Sequence, residues 1–78
     1  MYKAGYGEAV SDPIEQQSFY TAEQARGWLV SLLWARFTDE KQVGENTYKG
    51  FAAACLETHP IPVLWRGPDN HTYFVIEE

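Results

Sequence analysis

Cys55 and His59 stand four residues apart in the stretch FAAACLETHP, a spacing that puts both on one face of a helix. Such a pair could do two kinds of chemistry. With His71, Asp69 or Glu57 it could hold a metal ion, or Cys55 could act as a nucleophile activated by His59 or His71. Structural zinc takes four ligands, mostly Cys and His, and the chain has one cysteine and two histidines. No site of Cys and His alone can be built from three residues. Cys55 also sits among Ala52, Ala53, Ala54 and Leu56, a setting that favours an inert buried thiol. His59, at a helix end, suits the helix dipole in its charged form.

The other pairings carry less. Asp39-Glu40 and Glu77-Glu78 are solvated neighbours, and nothing places two carboxylates across a cleft for acid–base work. Gly5-Tyr6-Gly7 is too short to cradle a phosphate, and no GxGxxG, Walker or nucleophile-elbow pattern occurs. The expectation is a non-enzyme with no catalytic residue, no metal and no cofactor.

Charge narrows the partners. Six basic against eleven acidic side chains give a net charge of −5, the wrong sign for a phosphate-backbone footprint. Tyr2, Tyr6 and Tyr73 could stack bases on a sheet, but only Lys3, Arg66 and Lys49 are at hand to meet phosphates. Direct nucleic-acid binding is therefore not expected. No apolar run approaches the ~20 residues that span a bilayer, and MYKAGYGEAV has no apolar leader core, so no membrane partner is expected. A single cysteine excludes an internal disulfide and fits a reducing, cytoplasmic location. At 78 residues, one compact domain over 1–78 is expected, with a small core.

The elements follow from pattern. TAEQARGWLVSLLWARF, from Thr21 to Phe37, is the best-signed helix. Thr21 is the N-cap and Gln24 completes a capping box. Glu23 and Arg36 suit the two ends of the dipole. Ala25, Trp28, Leu29, Leu32 and Leu33 form the core stripe, and Val30, Trp34 and Phe37 a second one. Between the stripes run Gly27, Ser31 and Ala35, a smooth strip suited to close contact with a second helix. That second helix is expected over Asn46 to Thr58, ended by Pro60.

Residues Met1 to Val10 alternate and read as a strand, Ser11-Asp12-Pro13 as a turn, and Ile14 to Tyr20 as irregular with a short strand around Gln17–Phe19. Ile61 to Arg66 and His71 to Ile76 read as a hairpin closed by Gly67-Pro68-Asp69-Asn70. Symmetric pairing sets Trp65 opposite Thr72 and Val63 opposite Phe74. Val63, Trp65, Phe74 and Ile76 would then face the core, and Leu64, Arg66, His71, Tyr73 and Val75 the other side. Pro62 suggests that this strand starts at an edge. The fold class expected is α+β: a small antiparallel sheet of three or four strands with two helices packed on one face, in the order β-(β)-α-α-β-β.

Function is read from what this leaves exposed. Val30, Trp34 and Phe37 on the helix, and Tyr2, Tyr6, Leu64 and Tyr73 on an open sheet face, are candidate protein-binding residues. The expectation is a non-catalytic, acidic protein-binding module whose partner is another protein, with a homodimer as one form. A sharper version has surface carboxylates, Asp39 and Glu40 among them, standing in for phosphates toward a nucleic-acid-handling complex. In size, acidity and lack of motif the chain resembles the small inhibitors of phages and mobile elements, such as anti-CRISPR proteins. The alternative is a small-ligand-binding or homodimeric structural protein with an apolar pocket lined by Trp28, Trp34, Phe51 and Trp65.

Overall fold

A computed structural model describes residues 1–36, 42–43, 46–47 and 56–78 of the chain. The described residues are α+β. The strands β1 (Tyr2–Ala9) and β2 (Asp12–Phe19) precede the helix α1 (Ala22–Arg36). The short strands β3 (Gln42–Val43) and β4 (Asn46–Thr47) pair with each other, and β5 (Val63–Arg66) and β6 (Thr72–Glu77) close the chain. The main sheet is antiparallel throughout, in the order β2-β1-β6-β5.

β2 corrects the irregular lead-in expected from the sequence. It is a full strand of eight residues, paired from Tyr2↔Phe19 to Ala9↔Asp12 with irregularities around Gly7. The signal is missing because β2 lies at the sheet edge, where Asp12 and Ile14–Ser18 are all exposed. A strand wet on both faces has no alternation of apolar and polar residues to read. The edge also accommodates Pro13, whose missing N–H is harmless there. β5 forms the opposite edge and starts just after Pro62, as Pro62 suggests.

α1 begins as its sequence dictates. The Gln24 backbone N–H donates to Thr21 Oγ1 at 3.1 Å, and the Thr21 N–H donates to Gln24 Oε1 at 3.4 Å, which is the reciprocal capping box. Ala25, Leu29 and Leu33 are fully buried and pack the helix across β1, β6 and β2. Among the described residues nothing packs on the strip of Gly27, Ser31 and Ala35. All three are exposed, and a Cβ added at Gly27 would touch nothing within 4 Å. The expected helix over Asn46–Thr58 is corrected at its start, where Asn46 and Thr47 form β4; residues 48–55 lie outside the described residues, and 56–58 are helical. Thr favours strands and Asn is a poor helix-interior residue, so a ladder to Gln42 and Val43 can claim them. Leu56 is buried in the core, and Arg26 Nη1 donates to its carbonyl at 2.6 Å.

The C-terminal hairpin exists where expected, but its register differs by one residue. Trp65 pairs with Tyr73, Leu64 with Phe74 and Val63 with Val75. The cause is the turn. The Gly67 N–H donates to the His71 carbonyl at 2.9 Å, the Asn70 N–H to the Gly67 carbonyl at 3.1 Å, and Asn70 adopts φ 64°. Gly67 and His71 thus close a loop of three residues, Pro68-Asp69-Asn70, with the left-handed residue at its end. The one-residue slip leaves the β5 side chains on their expected faces and turns those of β6 over. Val63, Tyr73 and Val75 therefore face α1, with Ala4 and Tyr6 beside them, and complete the core with Ala25, Leu29, Leu33 and Leu56. Phe74 is buried on the opposite face, close over Gly5, its partner in the ladder.

Candidate functional site

Two regions stand out: a polar clasp at one end of the core, and the outer face of α1. Arg36, the last residue of α1, reaches three acceptors. Its Nε donates to the Tyr73 hydroxyl at 3.0 Å, Nη1 to the Tyr6 hydroxyl at 2.8 Å and Nη2 to Asp69 Oδ2 at 3.2 Å. The Tyr73 hydroxyl in turn donates to Asp69 Oδ2 at 2.6 Å. The His71 backbone N–H donates to Asp69 Oδ1, and its ring Nδ1 lies 3.1 Å from Asp69 Oδ2. Tyr6 and Tyr73 stack with ring centroids 5.3 Å apart, and the Arg36 guanidinium carbon lies 4.3 Å from the Tyr6 ring centroid.

The electrostatics show what this clasp can do. Burial alone would raise the Asp69 carboxyl, but hydrogen bonds from Tyr73, His71 and Arg36 outweigh it and hold the group at about 2. Burial pushes the Tyr73 phenol up, and its bond to Asp69 pushes it further, well above the usual tyrosine range. Burial works against the Arg36 cation, yet its bonds to Tyr73 and Asp69 raise its pKa. Asp69 and Tyr73 are moved away from neutrality in opposite directions, so neither suits proton exchange near pH 7. The chemistry available to this trio is to hold: it ties the end of α1 to β1 and to the hairpin tip. Among the described residues no three His, Cys, Asp or Glu side chains are grouped to hold a metal, and no buried side-chain polar atom lacks a partner.

The residues expected to form an open aromatic face divide. Tyr6 and Tyr73 are buried at 6% and 0% exposure, which corrects their assignment to an exposed sheet surface. Tyr2 is half-buried against the core. Leu64 is exposed, but the register slip puts it on the face opposite the Tyr73 ring. Phe37, Asp39 and Glu40 lie outside the described residues.

On α1, Val30 is half-buried and Trp34 is 46% exposed, with Gly27, Ser31 and Ala35 exposed beside them. The nine residues 27–35, GWLVSLLWA, carry no charge. The flanking Arg26 and Arg36 turn aside, to the carbonyls of Leu56 and Glu57 and to the clasp. The outer face from Gly27 to Ala35 is thus smooth, uncharged and edged by one tryptophan.

Reading the sequence alone missed the clasp. From the sequence, Arg36 is a complement to the helix dipole, and Asp69 a turn residue or a third metal ligand beside Cys55 and His59. The four-residue turn expected from the sequence sets Tyr73 on the outer face, so the bond from Tyr73 to Asp69 follows only from the three-residue loop. Compared with protein-family models, curated proteins and solved structures, the chain finds no match.

Proposed function

We propose that the chain is a non-catalytic protein-binding module that docks through the outer face of α1, with Trp34 as the anchor. The observation that carries this is an exposed tryptophan on a nine-residue uncharged helical stretch, in a chain of net charge −5. Interface centres are depleted of charge and enriched in tryptophan, and this face has both properties. The partner class is a protein, and single-cysteine usage fits a cytoplasmic setting. An inhibitory or accessory role of the kind carried by phages and mobile elements is the form of this reading that size and acidity favour.

The phosphate-mimic version has less support. Glu8 and Asp12 stand at one end of the main sheet, and Glu77 and Glu78 at the other, since Tyr2 pairs with Glu77 and Gly7 with Thr72. Glu78 is also engaged by Lys3 and Ser18. These four carboxylates do not make one row, and Asp39 and Glu40 lie outside the described residues. Of the residues in the pocket alternative, Trp28 packs on Phe19 and Trp65 on Tyr73, toward opposite ends of the sheet, and Phe51 lies outside the described residues.

The test is capture of partners on the immobilised chain, followed by affinity measurement with the partner identified. Trp34→Ala is expected to weaken binding by about tenfold or more. Raising the salt across the range that screens surface charge should change the affinity little. Steep loss with salt, with Trp34→Ala behaving as wild type, would move the docking site to the carboxylates.

A further inference from the structure

β2 is an eight-residue edge strand, and among the described residues no strand pairs with its outer side. An open edge is a template for another strand, and proteins usually blunt it with proline, bulges or lysine. Here the blunting is confined to the beginning. Pro13 and the irregular register around Gly7 mark the first part of β2. From Glu15 to Phe19 the pairing to β1 is regular, from Tyr6↔Glu15 to Tyr2↔Phe19, and this stretch, EQQSF, has no proline, glycine or basic residue. The side chains of Glu15–Ser18 are exposed.

We infer that this edge receives a second copy of the same chain, β2 against β2 antiparallel, about a twofold axis through Gln17. The axis follows by elimination. A twofold axis normal to the sheet keeps each residue on its own face, so it must pass through a residue and not between two. Through Glu15 it would set two carboxylates directly opposite, which is repulsive. Through Gln16 it would press Phe19 against Pro13, in the irregular part of the strand. Through Ser18 it would leave only three residues of the strand paired. Through Gln17 it uses the regular stretch alone: Glu15 meets Phe19 of the second copy, Gln16 meets Ser18, and the two Gln17 amides face each other, each able to donate and accept.

Just outside that stretch, the same axis brings Ile14 of each copy, the residue the ladder to β1 skips, toward Tyr20 of the other. These two are 59% and 82% exposed, the most exposed large apolar side chains among the described residues. The product is one continuous eight-stranded sheet with both α1 helices on the same face. Its pairing is short against the roughly 1,200–2,000 Å² of a standard interface, so the dimer dissociates on dilution. Each copy carries a charge of −5, so added salt tightens it.

The experiment is solution mass by light scattering over a hundredfold dilution, for wild type, Gln17→Lys, Gln17→Glu and an equimolar mixture of the two variants. Gln17 is exposed in the single chain, so both substitutions leave the fold intact. Wild type is expected to be dimeric at the concentrated end. Each variant alone, placing like charges face to face, should dimerise about tenfold more weakly or worse, and the mixture should recover the wild-type curve or exceed it. A wild type that is monomeric throughout, variants that dimerise like wild type, or a mixture that fails to recover would each overturn the inference. Trp34→Ala should leave the dilution curve unchanged, so the α1 docking reading stands or falls separately.

Discussion

The Tyr73 hydroxyl donates a 2.6 Å hydrogen bond to Asp69 Oδ2, four residues back along the same hairpin. The bond exists because the three-residue loop turns Tyr73 toward α1, where Arg36 meets both groups. Symmetric pairing around a four-residue loop would have turned the phenol to the other face.

Acid sensitivity follows from Asp69. Its carboxyl is lowered from the ordinary 3.8 to about 2, so the folded chain favours the ionised form. The stabilisation is fully present above about pH 4 and is lost as the pH falls toward 2. With the side chain partly open to solvent, its size is about 1–2 kcal/mol. Urea midpoints measured between pH 5 and pH 2 should fall for wild type, and Asp69→Asn should be weaker at pH 5 and lose less over the same interval.

Tyr73 gives the opposite limb. Its phenol is raised above the ordinary 10.0 by burial and by Asp69, so folding favours the protonated form. That contribution is complete below pH 10 and is lost as the pH rises beyond it. In an ultraviolet titration the Tyr73 phenol should ionise only together with unfolding. Tyr73→Phe should abolish that late step and cost about 1–2 kcal/mol at neutral pH, because Asp69 and Arg36 each lose a partner.

Two glycines should respond in opposite directions to alanine. A Cβ at Gly5 would collide with the Glu15 carbonyl oxygen, with Gln16 Cβ and with the Phe74 ring. Gly5→Ala is therefore expected to destabilise by about 1–3 kcal/mol. A Cβ at Gly27 meets open space on an exposed helix face, so Gly27→Ala should stabilise by about 1 kcal/mol. Thermal unfolding of both variants checks the pair, and a stabilised Gly5→Ala would contradict the close approach of β2 and Phe74 to β1.

The loop makes its own prediction. Asn70 holds φ 64°, where a β-branched side chain is strained and glycine is at ease. Asn70→Gly should keep stability within about 0.5 kcal/mol, whereas Asn70→Val should lose about 1–2 kcal/mol. If Asn70→Val also frees the register, the amide resonances of Trp65 and Tyr73 should move together.

Local chemistry was enough for some of this fold. Thr21 with Gln24, and the spacing of Ala25, Leu29 and Leu33, define α1 within one stretch of chain, because caps and helical periodicity involve near neighbours only. The hairpin around Gly67–Asn70 was legible for the same reason. Its register was not, since three or four loop residues hung on one backbone angle at Asn70. β2 was illegible because an edge strand exposed on both faces carries no alternation, and only pairing with β1 defines it. The clasp was decided by tertiary structure alone: Tyr6, Arg36, Asp69, His71 and Tyr73 come from three separate parts of the chain and meet only once the sheet sets β1 beside β6 and the helix crosses them. Composition, by contrast, needs no fold to be read, and the uncharged run from Gly27 to Ala35 in an acidic chain was written in the sequence; which side of α1 kept it in solvent was settled by the packing of Leu29 and Leu33.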